Sequence, residues 1–292
     1  MTFSTTRRGA LTLFGAGMTA ATLGAPGEAE AANALESIRR RGFIRIAIAN
    51  EVPYGFMNAD GQAHGIAPDV AKHVLGEIGI HRQQWVVTTF GSLIPGLKAR
   101  RFDMVAASQN VLPARCTQVA FSAINSSYGE GLLVKAGNPL GIHGYDWFLK
   151  HRDKKFAIVA GADELRFAHA VGIHDSQIVN LSANADALSA VADGRVAAYA
   201  ATGLTVARLA RHSKAVEPAA PFTQPVVDGH SVRSYGAFSF RKDETSLLTA
   251  FDKALDAYKK TDAWAHTLMK YGLTKQDVEA ARKMTTADRC KA

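Results

Sequence analysis

The sequence predicts an α/β protein of two lobes, each built on a sheet with a parallel core, and three observations carry that expectation. At 292 residues the chain is long for one small domain and about right for two. A strand–helix–strand–helix–strand run over 43–107 starts again over 156–201, and alternating elements of this kind assemble as parallel sheets. Two extended apolar segments, 132–135 and 235–240, stand between and after the runs, where they would form a two-strand hinge. Composition agrees: 47% hydrophobic and 21% charged residues belong to a packed globular chain and exclude disordered or fibrous classes.

A short helix over 35–41 is expected first, then a strand over 43–48 rich in β-branched residues. Pro68-Asp69 marks a helix start, with Val70, Val74, Leu75 and Ile78 at helical spacing. A strand over 85–88, a helix opened by Ser92 with Leu93 and Leu97 on one face, and a strand over 102–107 complete the first run. The second run has a strand over 156–160, a helix over 163–171, a strand over 177–181, a helix over 183–192 stopped by Asp193-Gly194, and a strand over 196–201. Leu247, Leu248, Phe251, Leu255 and Tyr258 mark an amphipathic helix, and Trp264, Leu268 and Tyr271 another; both are expected to return to the first lobe. The division that follows is an export signal over 1–31, the first lobe over 32–134, the second over 135–232, and a return to the first over 233–292.

The export reading rests on Arg7-Arg8, an apolar stretch from Ala10 to Leu23, and Ala29-Glu30-Ala31. That stretch is shorter than the ~20 residues that span a bilayer. The paired arginines resemble a twin-arginine signal. No Cys stands at the cleavage site, so a soluble rather than lipid-anchored protein is expected. Removing 1–31 takes away two basic and two acidic residues, and the mature chain keeps its net charge of +8. Lys and Arg are scattered rather than striped, which favours a solvated basic surface over a nucleic-acid interface. Cys116 and Cys290 are the two cysteines, and an oxidising compartment favours a disulfide between them. Such a bond would stabilise by up to about 5 kcal/mol in the chain-entropy model. The alternative is one buried thiol and one on a frayed tail.

Several motifs carry a resemblance. Asn50-Glu51-Val52-Pro53-Tyr54-Gly55-Phe56 comes first, then Phe90-Gly91-Ser92-Leu93-Ile94-Pro95-Gly96-Leu97-Lys98 with Phe102-Asp103, then Pro113-Ala114-Arg115-Cys116 with Val119-Ala120-Phe121-Ser122. Gly161-Ala162, Gly194-Arg195-Val196 and Tyr235-Gly236-Ala237-Phe238 follow in order. Together they resemble the amino-acid-type (family 3) periplasmic binding proteins of ABC importers, and among these the ectoine and hydroxyectoine binders. The resemblance covers essentially the whole mature chain. It implies a type II, Venus-flytrap fold that closes over a small zwitterionic ligand in the periplasm. A transmembrane permease is the implied partner, and a monomer is expected with no cofactor, metal or nucleic acid.

Arg115 lies just beyond the third strand of the first lobe, where open α/β sheets bind ligands, and its planar fork suits a carboxylate. Glu51 follows the first strand at the same edge and would offer an anion to a cationic group. Tyr54 and Phe90 would stack on a delocalised cation, or belong to the core. Gly161, Ala162 and Asp163 resemble the loop that closes from the second lobe. Thr202 stands where amino-acid binders of this family carry an Asp that grips the α-ammonium, which argues against an ordinary α-amino acid. Two departures bear on the ligand: Leu112 replaces a hydroxyl, and Asn110 stands where ectoine binders place an aromatic wall. Hydrogen bonding by Ser108, Gln109 and Asn110 to a more polar ligand is the alternative. Two further readings stay open. One is a dehydratase-like enzyme on the same fold, using Glu164, Asp163 or Glu51 as acid or base. The other is a loaded partner for a sensor receptor.

Overall fold

The computed structural model describes residues 34–291, so the export segment expected over 1–31 lies outside the described residues. In the first sheet the strand order is Gln83–Val87, Ile44–Ile48, Met104–Asn110, Ser234–Phe240 and Ala120–Phe121, with Ser126–Tyr128 also paired to Ser234–Phe240. The first three are parallel and Ser234–Phe240 runs against them. In the second the order is Ile178–Leu181, Phe156–Val159, Ala198–Thr202, Glu130–Lys135 and Val216–Pro218. Again the first three are parallel; Glu130–Lys135 runs against them, and Val216–Pro218 runs against Glu130–Lys135. Parallel neighbours need a helical crossover; a strand that arrives directly from the other lobe does not, and it enters the sheet antiparallel.

The second sheet is covered on both faces, as a parallel core requires. Phe156 and Ile158 pack with Phe148 and Phe167 on one face. Ala157 and Val159 pack with Val191 and Val206 on the other. The helices Thr245–Lys259 and Asp262–Lys270 return to the first lobe as expected: Leu247, Phe251, Leu255, Trp264 and Leu268 share one core with Ile46 and Val70. Two short helices follow, Lys275–Lys283 and Thr286–Lys291, and a Cys116–Cys290 disulfide ties the second of them to the first lobe, with Cα atoms 5.7 Å apart. Among the described residues no helix is long and apolar enough to cross a membrane.

The hinge differs from expectation. Both segments expected to bridge the lobes lie inside sheets: 235–240 belongs to Ser234–Phe240 of the first, and 132–135 to Glu130–Lys135 of the second, with Leu132 and Leu133 buried on its two faces. An apolar run serves a doubly covered strand, and that is where it sits. The chain passes between sheets just before it, at Gly129, and again just before Ser234. There the short polar strand Ser126–Tyr128 pairs antiparallel with the start of Ser234–Phe240, through Ser234 with Tyr128 and Gly236 with Ser126.

Smaller shifts matter for the site. The helix expected at Pro68 begins at Ile66, because the N–H groups of Ile66 and Ala67 donate to the carbonyls of Pro53 and Tyr54 at 2.9 and 3.0 Å. The loop that carries Glu51 and Tyr54 therefore caps this helix and is held by it. The strand expected over 102–107 is Met104–Asn110, buried along its whole length.

Candidate ligand-binding site

The side chains that meet between the lobes come from the C-terminal ends of parallel strands, the edge at which open α/β sheets place ligands. Ile44–Ile48 leads to Glu51 and Tyr54, Gln83–Val87 to Phe90, and Met104–Asn110 ends in Ser108 and Asn110 with Arg115 one turn beyond. From the second sheet, Phe156–Val159 leads to the loop 161–164, Ile178–Leu181 to Asn184, and Ala198–Thr202 ends in Thr202. The Glu51 loop is pinned by reciprocal backbone bonds between Glu51 and Gly55, both 2.9 Å. Gly55 allows the close packing: a Cβ there would stand 2.6 Å from the Ala106 carbonyl oxygen.

The lobes are closed on one another. Tyr54 Oη donates to Thr202 Oγ1 at 2.8 Å, and Thr205 Oγ1 donates to Glu51 Oε1 at 2.9 Å. Thr202 also caps the helix Gly203–Ala210 through Thr205 N, so both threonines are fixed by a helix start. Asn110 Nδ2 donates to Asp163 Oδ2 at 2.6 Å. Arg115 donates from Nη1 to Asn110 O at 2.9 Å and from Nη2 to Gly161 O at 3.0 Å, with Asp163 Oδ1 3.9 Å away. Its guanidinium carbon lies 5.5 Å from the Phe90 ring centre. Gly161 has φ +83°, and a Cβ on it would stand 2.7 Å from Gly91 Cα of the other lobe.

Of the residues expected here, Glu51, Tyr54, Phe90, Ser108, Ala162, Asp163 and Thr202 line the cleft. Asn110, Arg115 and Gly161 sit at its edge, bonded across it. Asn110 is committed on both sides, since its Oδ1 accepts from Tyr235 N at 2.8 Å. Gln109 turns to the opposite face of its strand, where Oε1 accepts from Ser239 Oγ at 2.8 Å. A further aromatic side chain reaches the cleft from the strand Ser126–Tyr128. Tyr128 lines the cleft with its ring centre 4.9 Å from that of Tyr54, and its hydroxyl donates to Ser108 O at 2.7 Å.

Sequence reasoning missed Tyr128, Asn184 and Tyr199 as cleft residues, and weighed Glu164 only as an enzyme's acid. It also missed Glu130, whose signal was available: a lone acid at the head of the apolar run Gly131-Leu132-Leu133-Val134 has to be buried for a reason. Burial pushes the Glu130 carboxyl up to about 8, with the charge of Asp163 adding to it. Glu164 is held well above the usual range, by burial first and by Glu130 next. Burial also raises Glu51, opposed by the bond from Thr205. Glu51, Glu130 and Glu164, in and behind the cleft, are thus all held above the usual carboxylate range.

The model of the bacterial extracellular solute-binding proteins, family 3, matches residues 44–274. A probable amino-acid ABC transporter periplasmic-binding protein of Sinorhizobium fredii is 48% identical over 258 residues, covering 88% of this chain and 85% of the relative. The crystal structure of EhuB in complex with hydroxyectoine superposes with a TM-score of 0.80 at 31% identity, covering 88% of this chain and 98% of that one. The ancestral amino acid-binding protein AncCDT-1, a precursor of cyclohexadienyl dehydratase, superposes with a TM-score of 0.70 at 26% identity, covering 81% and 98%.

Proposed function

The chain belongs to the family 3 bacterial extracellular solute-binding proteins, and from that premise we propose that it is the ligand-capturing component of an ABC uptake system. It works in the periplasm as a soluble monomer, exported through the signal read over 1–31 by the twin-arginine route, and delivers its ligand to a membrane permease. One observation carries the reading: the C-terminal ends of two parallel-core sheets meet face to face, joined by direct hydrogen bonds from Tyr54 to Thr202 and from Thr205 to Glu51.

The ligand is a small amino-acid-like zwitterion such as ectoine or hydroxyectoine. Its cationic end lies at Glu51 against the Tyr54 and Phe90 rings, and its carboxylate faces Arg115. Ser108, Ala162, Asp163 and Thr202 complete the walls, with Asn110 and Gly161 holding the edge. The paired strands around Gly129 and Ser234 are the hinge, and the lobes divide there. Ligand entry requires the cross-cleft bonds to open, and closure over the ligand removes water and strengthens its ion pairs.

A thermal-shift screen of the mature protein against ectoine, hydroxyectoine, betaines and polar and basic amino acids tests this, because a ligand that binds only the folded state raises the melting temperature. For the ligand that shifts it most, Arg115→Ala should cost about 2 to 5 kcal/mol of binding. Unchanged affinity removes Arg115 from the ligand. The raised Glu130 and Glu164 and the likeness to AncCDT-1 favour a dehydratase-like enzyme as the second reading. Product formation from a bound ligand would replace the binding reading with that one.

A further inference from the structure

We propose that Glu164, with Glu130 behind it, forms a second subsite for a cationic group in the cleft, so that the ligand carries one positive charge more than a simple zwitterion. This rests on the binding reading above and names the charge class of its ligand. Four carboxyl groups, Glu51, Glu130, Asp163 and Glu164, act on one another here, and among the described residues the guanidinium bonded at the cleft edge is that of Arg115. A zwitterion whose carboxylate faces Arg115 and whose cation faces Glu51 leaves the others unanswered. Asp163 has partners of its own in Asn110, Arg115 and Ser234. Glu164 lines the cleft at 5% exposure, with no cation against it among the described residues.

Unfilled hydrogen-bonding capacity points the same way. Ser108 Oγ is buried on the cleft wall with no partner among the described residues, and its residue holds a left-handed φ of 48°. Tyr145 Oη, in the second-lobe core behind the cleft lining, senses the charges of Glu130 and Glu164 and is also without a partner among the described residues. Glu130 accepts from Ser234 Oγ at 3.0 Å and is hydrogen-bonded to the Glu164 carboxyl, which ties the pair together behind the cleft wall. Buried groups that cannot be satisfied within the protein are suited to a ligand that brings donors.

Two carboxyl groups this close and this buried share a proton. The groups facing the pair are Asp163, Glu51 and Tyr145, with Tyr54, Tyr128 and Tyr199 beyond them. Arg115 lies against Asp163, and Arg289 senses the charge of that carboxylate. No arginine or lysine among them contacts Glu164. A guanidinium or ammonium docking there supplies the missing positive charge, the pair ionises, and its proton passes to bulk water. Binding of such a ligand is therefore coupled to proton release and tightens as pH rises towards 8.

Calorimetry of the mature protein with L-arginine, net charge +1, and with ectoine and L-glutamine, both net neutral, tests the subsite. Titrations at pH 7 in phosphate and in Tris read the protons released. The expected result is L-arginine bound at least about tenfold more tightly than either neutral probe, with about half to one proton released and affinity rising several-fold from pH 6 to 8. Glu164→Gln should abolish the proton release and erase the preference for L-arginine. Equal or tighter binding of ectoine or L-glutamine without proton release overturns the subsite and leaves the zwitterion-binding reading standing. Binding of none of the three by the unaltered protein overturns both. The proton count on the unaltered protein needs no variant, so misfolding of Glu164→Gln does not protect the proposal.

Discussion

Asp103 and Glu130 are equally buried, at 3% exposure each, and their carboxyl groups are pushed in opposite directions. Asp103 lies at the base of the first sheet, away from the cleft. Its Oδ1 accepts from Arg45 Nη2 at 2.7 Å and its Oδ2 from Arg45 N at 2.9 Å, with Arg41 also on Oδ2 and Arg241 3.5 Å away. Burial raises Asp103, but the bonds from Arg45 and the charges of Arg41 and Arg45 outweigh it, and the group falls below the ordinary range. Glu130 has one hydroxyl donor and three acidic neighbours, Asp163, Glu164 and Glu51, and rises to about 8. Burial alone does not set the charge of a carboxyl group; the company it keeps does. Around Asp103 the chain answers the charge itself and fixes structure, whereas around Glu130 burial and acidic neighbours hold the carboxyl protonated.

The sharpest way to break this comparison is at Asp103. Asp103→Asn strands arginines that are buried or half-buried, and urea unfolding should show a loss of about 3 to 5 kcal/mol, with ligand affinity unchanged below the unfolding temperature. A loss under about 1 kcal/mol would mean that the arginines are answered by water and that the two acids differ less than their geometry implies.

The closure contact should respond next. Gly161→Ala meets both the left-handed φ and the 2.7 Å approach to Gly91 Cα, so the affinity of the tightest ligand should fall about tenfold, roughly 1.4 kcal/mol. Gly91→Ala, whose Cβ would meet the Ala160 carbonyl oxygen at 3.1 Å without a positive φ, should cost less. Equal and full affinity in both would mean that the ligand-bound lobes do not close to this distance.

The smallest effect is a slope. A carboxyl raised in the folded state contributes stability that is complete below its unfolded value, near 4.3, and is lost as pH rises through the folded value of about 8. The ligand-free protein should therefore lose stability between pH 5 and 8, and Glu130→Gln should flatten that loss by about 1 to 2 kcal/mol in denaturant titrations. Glu244, raised to about 7, and Asp252, raised to about 6, act with the same sign, so some slope remains in the variant. Asp103 acts with the opposite sign and only at acid pH, where protonation removes the partner of its arginines. An unchanged slope in Glu130→Gln would place the titrating group elsewhere.

Much of the fold was legible because its signals are local. β-Branched runs such as 43–48 and helical spacing such as Val70, Val74 and Leu75 report their own secondary structure. The βαβ order then places Glu51, Tyr54, Phe90, Ser108, Asp163 and Thr202 at one edge, whatever the rest of the chain does. The hinge was misread because the apolar run 132–135 looks the same whether it bridges lobes or fills a sheet, and only the helices packed on both its faces tell which. Tyr128 was missed as a cleft residue because its strand lies beside the cleft in space but not along the chain.

By itself, then, the sequence determined the two α/β lobes, the strand ends that would bear the site and the family pattern they belong to, since each follows from periodicity and order along the chain. Only the tertiary structure decided that Arg115 and Asn110 would bond across the cleft edge and that Glu130 would lie against Glu164. Those meetings join residues distant in sequence, and the charge of a buried acid is set by neighbours that only folding brings to it.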